Sequence, residues 1–174
     1  GGPRGGAPAV LPGEVGLTRF GWGRGYADAG RFPGLIMWAG SVGGPMAVPG
    51  AYQVRLTVDG KPLTEKFAIQ KDPRLTFTDA DYAEQMKLLL QIRDKLSAMH
   101  DGITRIRDVR KQVDDMSARW KDDPRGKKIA DAGKALNDKM KMVDETLDQT
   151  KNQSSQDSLN YPIRLNNNRA APAG

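Results

Sequence analysis

Between Ala80 and Trp120 apolar side chains recur at Tyr82, Met86, Leu89, Ile92, Leu96, Met99, Ile103, Ile106, Val109, Val113, Met116 and Trp120, every interval being three or four residues. That spacing puts one stripe along one side of a helix of about 40 residues, roughly 60 Å long at 1.5 Å per residue. A helix of that length with one apolar side does not stand alone in water, so the stripe demands a second surface. Its start is marked by Thr78 as cap, Asp81 three residues on as in a capping box, and Phe77 placed to pack on Tyr82. Gly102 falls in mid-helix, either as a bend or close contact or as a tolerated surface glycine. Asp122-Asp123-Pro124 reads as a stop and restart, with an Asp as cap and Pro124 in the first turn. The stripe of the second helix is Ile129, Ala132, Leu136, Met140, Val143 and Leu147, and residues 76–150 are therefore expected to form an antiparallel helical hairpin. The second helix is the shorter, so part of the first must find another partner.

The front half is written differently. Most of the 20 Gly and 11 Pro fall before Pro73, which punctuates it as loops and short strands. Residues 1–14, nearly all Gly, Pro and Ala, read as a flexible arm. Val15 to Phe20 and Leu35 to Trp38 read as short strands. In Ala51 to Val58 the side chains Tyr52, Val54, Leu56 and Val58 share one face and Gln53, Arg55 and Thr57 the other, so one face is expected to be buried. Asp59-Gly60 favours a type I′ turn, and Leu63 to Ile69 returns as the second strand, with Pro62 at an edge or just outside the pairing. The expected fold class is α+β: a small antiparallel Ig-like β-sandwich over 15–75, then the helical hairpin. The tail, 151–174, is polar, but Leu159, Tyr161, Ile163 and Leu165 alternate in it, so it is expected to dock in extended form.

Composition and residue types exclude several chemistries. The chain has no Cys and one His, His100, so no thiolate site, His-based triad or His metal cluster can be assembled from it; the default for His100 is a surface or seam position. Gly21-Trp22-Gly23-Arg24-Gly25-Tyr26 is glycine-rich, yet a phosphate cradle needs a strand running straight into a helix, and Asp28, Gly30 and Pro33 follow instead. Acidic residues lie mostly on the helices, within reach of Lys and Arg four residues away, which favours ion pairing over a catalytic carboxylate pair. No catalytic residue, cofactor site or metal site is assigned.

Two surfaces remain as candidates. Trp22, Tyr26 and Trp38 are core aromatics or a surface for a partner or a sugar. Arg105, Arg107, Arg110 and Lys111 cluster within two turns as a possible anion contact, although Asp101, Asp108, Asp114 and Asp115 interrupt them. The net charge of +6 is spread thinly: residues 1–78 hold nine Lys/Arg against five Asp/Glu, and the rest eighteen against sixteen. Mixed signs of this kind argue against nucleic acid. No apolar run is long enough to span a bilayer. The opening Gly1-Gly2-Pro3, without Met or a signal pattern, reads as a fragment of something longer.

Gly16-Leu17-Thr18-Arg19-Phe20, Arg31-Phe32-Pro33-Gly34, Met37-Trp38-Ala39-Gly40, Val48-Pro49-Gly50-Ala51-Tyr52-Gln53-Val54-Arg55-Leu56 and Lys71-Asp72-Pro73-Arg74 occur in that order. They are followed by Gln149-Thr150-Lys151-Asn152-Gln153-Ser154-Ser155-Gln156-Asp157 and by Leu159-Asn160-Tyr161-Pro162-Ile163-Arg164-Leu165-Asn166-Asn167. Together they resemble the C-terminal region of large secreted bacterial proteins with BNR or sortilin-like propeller repeats, often labelled glycosyl hydrolases. The Pro-Gly-Ala-Tyr-Gln-Val-Arg-Leu stretch also resembles the Ig-like domain of flagellar hook-capping proteins. The resemblance implies a secreted or periplasmic location and a protein partner, either an upstream propeller of the same precursor or further copies of the chain. It transfers no catalytic residue, and it leaves a helix after Asn166-Asn167 in doubt, because the chain closes soon after. The expected function is a non-enzymatic docking or assembly module, with a carbohydrate-contacting module as the alternative.

Overall fold

The computed structural model describes residues 16–38 and 40–170. Two strands, β1 (Gly50–Val58) and β2 (Lys61–Ile69), precede a long helix α1 (Asp79–Arg119), a second helix α2 (Gly126–Leu147), a single turn of 3-10 helix at Ser155–Leu159, and a short helix α3 (Leu165–Ala170). The class is α+β, with a two-stranded antiparallel sheet, a long helix and a second helix. The arm expected at 1–14 lies outside the described residues. The chain forms two compact units: residues 16–28 with 43–91, and residues 29–42 with 92–170.

In the first unit β1 and β2 pair in register from Gly50 opposite Ile69 to Val58 opposite Lys61. The closing turn is Asp59-Gly60, with φ of 49° and 76°, the left-handed pair that a type I′ turn requires and that matches the twist of the strands. Pro62 lies opposite Thr57, one step from the closing pair, where a two-residue hairpin has no ladder bond to lose. Trp22 packs on the base of the apolar face, its ring centroid 6.0 Å from Tyr52 and 5.9 Å from Phe67, and the Tyr52 hydroxyl donates to the Val48 carbonyl at 2.6 Å. Further out the face is open: Val54, Leu56, Val58 and Leu63 keep 54, 41, 50 and 62% of their surface exposed, so the face expected from the alternation to be buried is not covered by the described residues.

Of the sandwich expected over 15–75, the described residues form this hairpin and one isolated bridge, Gly25 with Met46. Residues 16–20 and 35–38 are not strands. The reason is local: Gly16, Gly21, Gly23, Pro33 and Gly34 raise the entropic cost of extension or remove donors, and no described partner edge repays that cost. At the bridge Gly44 is required, since a Cβ there would collide with the carbonyl oxygens of Tyr26 and Ala27.

The start of α1 follows the capping pattern. The Thr78 N–H and hydroxyl each donate to the Asp81 carboxylate at 2.7 Å, the Asp81 N–H donates back to the Thr78 hydroxyl at 3.2 Å, and Phe77 meets Tyr82 edge-on at 6.2 Å. The Thr78 N–H first, and its hydroxyl second, hold the Asp81 carboxyl below the usual carboxylate range. A depressed folded pKa stabilises the cap above the unfolded value of about 3.9 and is lost as pH falls through the folded value. In a carboxyl NMR titration Asp81 is expected to inflect below that value, with the amides of the first turn of α1 losing protection over the same window. An inflection at or above it would show that the cap is not formed in solution.

In the second unit the stretch of α1 from Arg107 to Ser117 packs on α2. Arg107 bonds Asp144, Asn137 donates to Asp114 at 2.6 Å, and a Cβ on Gly133 would lie 3.0 Å from both Ser117 and Val113, so the helices run antiparallel with Gly133 at a tight approach. Asp123 does not cap α2. Its carboxylate accepts the Arg125 N–H at 2.7 Å in the turn, and α2 starts after Arg125 with no side-chain cap. Gly126 is forced, because any side chain there would strike the Trp120 carbonyl. Around Gly102 nothing lies within 4 Å of an added Cβ, which makes it a tolerated surface glycine.

The core of this unit lies on Leu96, which packs with Ala29 and Val42 and is covered by Leu35 and Met37. The 29–42 segment is closed at its base by the Ala29 N–H donating to the Val42 carbonyl at 2.7 Å. His100 is fully buried rather than a surface or seam residue: Nδ1 donates to the Gly30 carbonyl and Phe32 lies edge-on at 5.1 Å. The tail is not extended. It makes the 3-10 turn and α3, because Asp157 takes the Gln153 and Ser154 N–H groups at 2.6 and 2.8 Å and so nucleates a turn that alternation alone does not reveal.

Candidate functional site

On α1, Arg107 and Arg110 are three residues apart and share one helix side; Asp144 lies in the last turn of α2 and Asp148 is its extended C-cap, whose N–H donates to the Asp144 carbonyl at 2.8 Å. The antiparallel packing brings the two pairs together. Arg107 donates to Asp144 at 3.2 and 3.3 Å and to Asp148 at 2.7 Å, and Arg110 reaches Asp144 at 3.4 Å. Asp144 and Asp148 are 2 and 6% exposed. Two carboxylates at that depth are tolerable only because guanidinium donors and an amide share them, the amide being Asn166, which donates to Asp148 at 2.9 Å. Burial opposes the Arg107 charge, but the hydrogen bonds to Asp144 and Asp148 outweigh it and raise the guanidinium above its usual pKa. The ring of Phe32 lies 4.7 Å below the same guanidinium.

These side chains line an open cleft of about 360 Å³, whose other walls include Gly34, Lys141, Glu145 and Asn152. Its charged lining is balanced, Arg107, Arg110 and Lys141 against Asp144, Glu145 and Asp148. The adjoining Asn167 closes the tail onto the 29–42 segment: its side chain accepts the Trp38 N–H at 3.2 Å and donates to the Trp38 carbonyl at 3.0 Å. The cluster therefore ties α1, α2, the tail and the 29–42 segment into one polar lock. Among the described residues no group of three or more His, Asp or Glu could hold a metal ion, and no helix is long and apolar enough to cross a membrane.

The candidate basic cluster divides. Arg107 and Arg110 belong to the lock, Lys111 pairs with Asp115 one turn on at 2.7 Å, and Arg105 is exposed and in no ion pair among the described residues. The four do not form one anion-binding face, because only Arg105 is uncommitted. Trp22, Tyr26 and Trp38 keep 43, 37 and 46% exposure, and they divide between the units, Trp22 and Tyr26 in the first and Trp38 in the second. Sequence reasoning missed Asp144, Asp148, Asn166 and Asn167. A signal was present in Gly133, Asn137, Asp144 and Asp148, a small and polar stripe at helical spacing beside the apolar one. Comparison with family models, with curated proteins and with solved structures finds no match for the chain.

Proposed function

We propose that the chain is a non-catalytic docking and assembly module of an exported bacterial protein. The supporting observation is the open apolar face of the hairpin, with Val54, Leu56, Val58 and Leu63 at 41–62% exposure and both strand edges unpaired within the sheet. A two-stranded ribbon is marginal in water, and an apolar face of this kind marks an interaction surface. On this reading β1 and β2 are part of an Ig-like sandwich completed from outside the described residues, by an upstream propeller of the same precursor or by further copies. The charged cleft supports the non-catalytic part of this reading, since its acids and bases are spent on one another. The alternative, sugar contact through Trp22, Tyr26 and Trp38, draws on their exposure, but Trp22 already commits its ring to Tyr52 and Phe67.

The test is the native mass of the particle by light scattering, with mass spectrometry of every chain present. A mass above the 19.0 kDa of one chain, falling back toward it when Leu56 and Leu63 are both changed to Lys, is expected. A lone monomer at all concentrations, with no retained partner, would overturn the proposal.

A further inference from the structure

The face by which α2 meets α1 is not its apolar stripe. Gly133, Asn137 and Asp144 face α1, while Leu136 and Val143 remain 45 and 49% exposed. At about 100° per residue the apolar stripe of α2 is turned by roughly 70° from the contact side. The same offset holds on α1, where Val109, Met116 and Trp120 keep 41, 55 and 38% exposure although Val113 between them is half-buried. Because the helices are antiparallel, opposite senses of rotation bring both stripes to the same side of the pair. The register set by Ser117 beside Gly133, Asp114 beside Asn137 and Arg107 beside Asp144 places Trp120 level with Ala132, Met116 with Leu136, and Val109 with Val143. The result is an apolar groove about 16 Å long, three helical turns, with the half-buried Val113 and Met140 as its floor.

The flanks of this groove have one sign. Arg105 borders the α1 side and Lys128 and Lys139 the α2 side; all three are exposed and none is in an ion pair among the described residues, whereas Arg119 lies further round, where its charge adds to the Lys111 hydrogen bond in holding the Asp115 carboxyl low. The acids of the same turns, Asp108, Asp115, Asp131 and Asp138, lie about 100° or more round from the stripe. Two copies meeting through this face would set basic flank against basic flank. A flat lipid surface would leave the recessed Val113 and Met140 uncovered. A single helix fits both constraints, since it fills the groove between two helices and can carry acids on its flanks.

We infer that the side of the α1–α2 pair formed by Val109, Met116, Trp120, Leu136 and Val143 is the seat of an amphipathic helix with acidic flanks. This names a partner chemistry for the docking role proposed above and rests on it. The probe is a fluorescein-labelled 18-residue helical peptide with Leu at three- and four-residue spacing and Glu on both flanks, against a control carrying Lys at the Glu positions, read by anisotropy with the full chain.

The acidic peptide is expected to bind at least tenfold tighter than the basic one at low salt, with the gap narrowing as salt rises. Met116→Glu with Leu136→Glu should weaken it at least tenfold, and Arg105→Glu with Lys139→Glu should invert the preference. These positions are exposed, so unchanged circular dichroism separates lost docking from misfolding. Equal binding of the two peptides, no binding, or binding only to vesicles containing phosphatidylserine would each overturn the inference. A native particle that keeps its partner through the hairpin while the peptide fails would sink the groove alone; a lone monomer that still binds the peptide would sink only the hairpin-mediated assembly.

Discussion

Replacing Arg107 with Met is expected to lower the stability of the second unit by about 3 kcal/mol, because it strands Asp144 and Asp148 at 2 and 6% exposure without their main cation. The figure sits at the low end of the range for a broken buried pair. The reason is that the guanidinium side chain itself keeps 32% exposure, so part of its interaction is screened. Urea unfolding followed by far-ultraviolet circular dichroism measures it. The more telling variant adds Asp144→Leu, which removes the most deeply buried stranded carboxylate and is expected to recover part of the loss, since apolar replacement of a buried ion pair is often neutral or stabilising. If Arg107→Met costs under about 1 kcal/mol, the cleft is a wet surface cluster and not the lock described here.

The second large effect is at Ile103, which is completely buried. Ile103→Ala is expected to cost about 3 to 4 kcal/mol, the transfer term plus the cavity left in a packed interior. Leu136→Ala, on a residue 45% exposed, should cost under about 1 kcal/mol in the free chain. The comparison matters because both residues sit on three-and-four-spaced apolar stripes and look alike in sequence. With the acid-flanked helix bound, Leu136→Ala should cost more than in the free chain, since truncating a docked apolar residue then removes binding as well.

Much of the local structure was legible because it is governed by neighbours in sequence. Tyr52 to Val58, Asp59-Gly60 and the return to Ile69 specify a hairpin through alternation and a turn that only a few residue types accept, and the observed register is the one these imply. Thr78, Asp81, Phe77 and Tyr82 specify the start of α1 through bonds and contacts within four residues. The same reasoning failed at Asp123, where an Asx-type turn with Arg125 competed with the cap, and in the tail, where one carboxylate, Asp157, organises a helical turn inside an alternating pattern.

What the sequence by itself determined is therefore the inventory of elements and their ends: a type I′ hairpin, a long helix, a second helix after Asp122-Asp123-Pro124, and the absence of thiolate or His-cluster chemistry. Tertiary structure decided which side of each helix is spent. Periodicity shows that Leu136 and Val143 share a face, but not that Gly133 takes the close approach and Asp144 the cation, because the helix–helix contact is chosen by how near two backbones can come and how two buried charges can be paired. It also decided that Asn166 and Asn167, polar residues in a polar tail, end up at 1 and 6% exposure, holding Asp148 and the Trp38 backbone. Burial of a polar side chain depends on partners far away in the chain, and those partners exist only once the chain has folded.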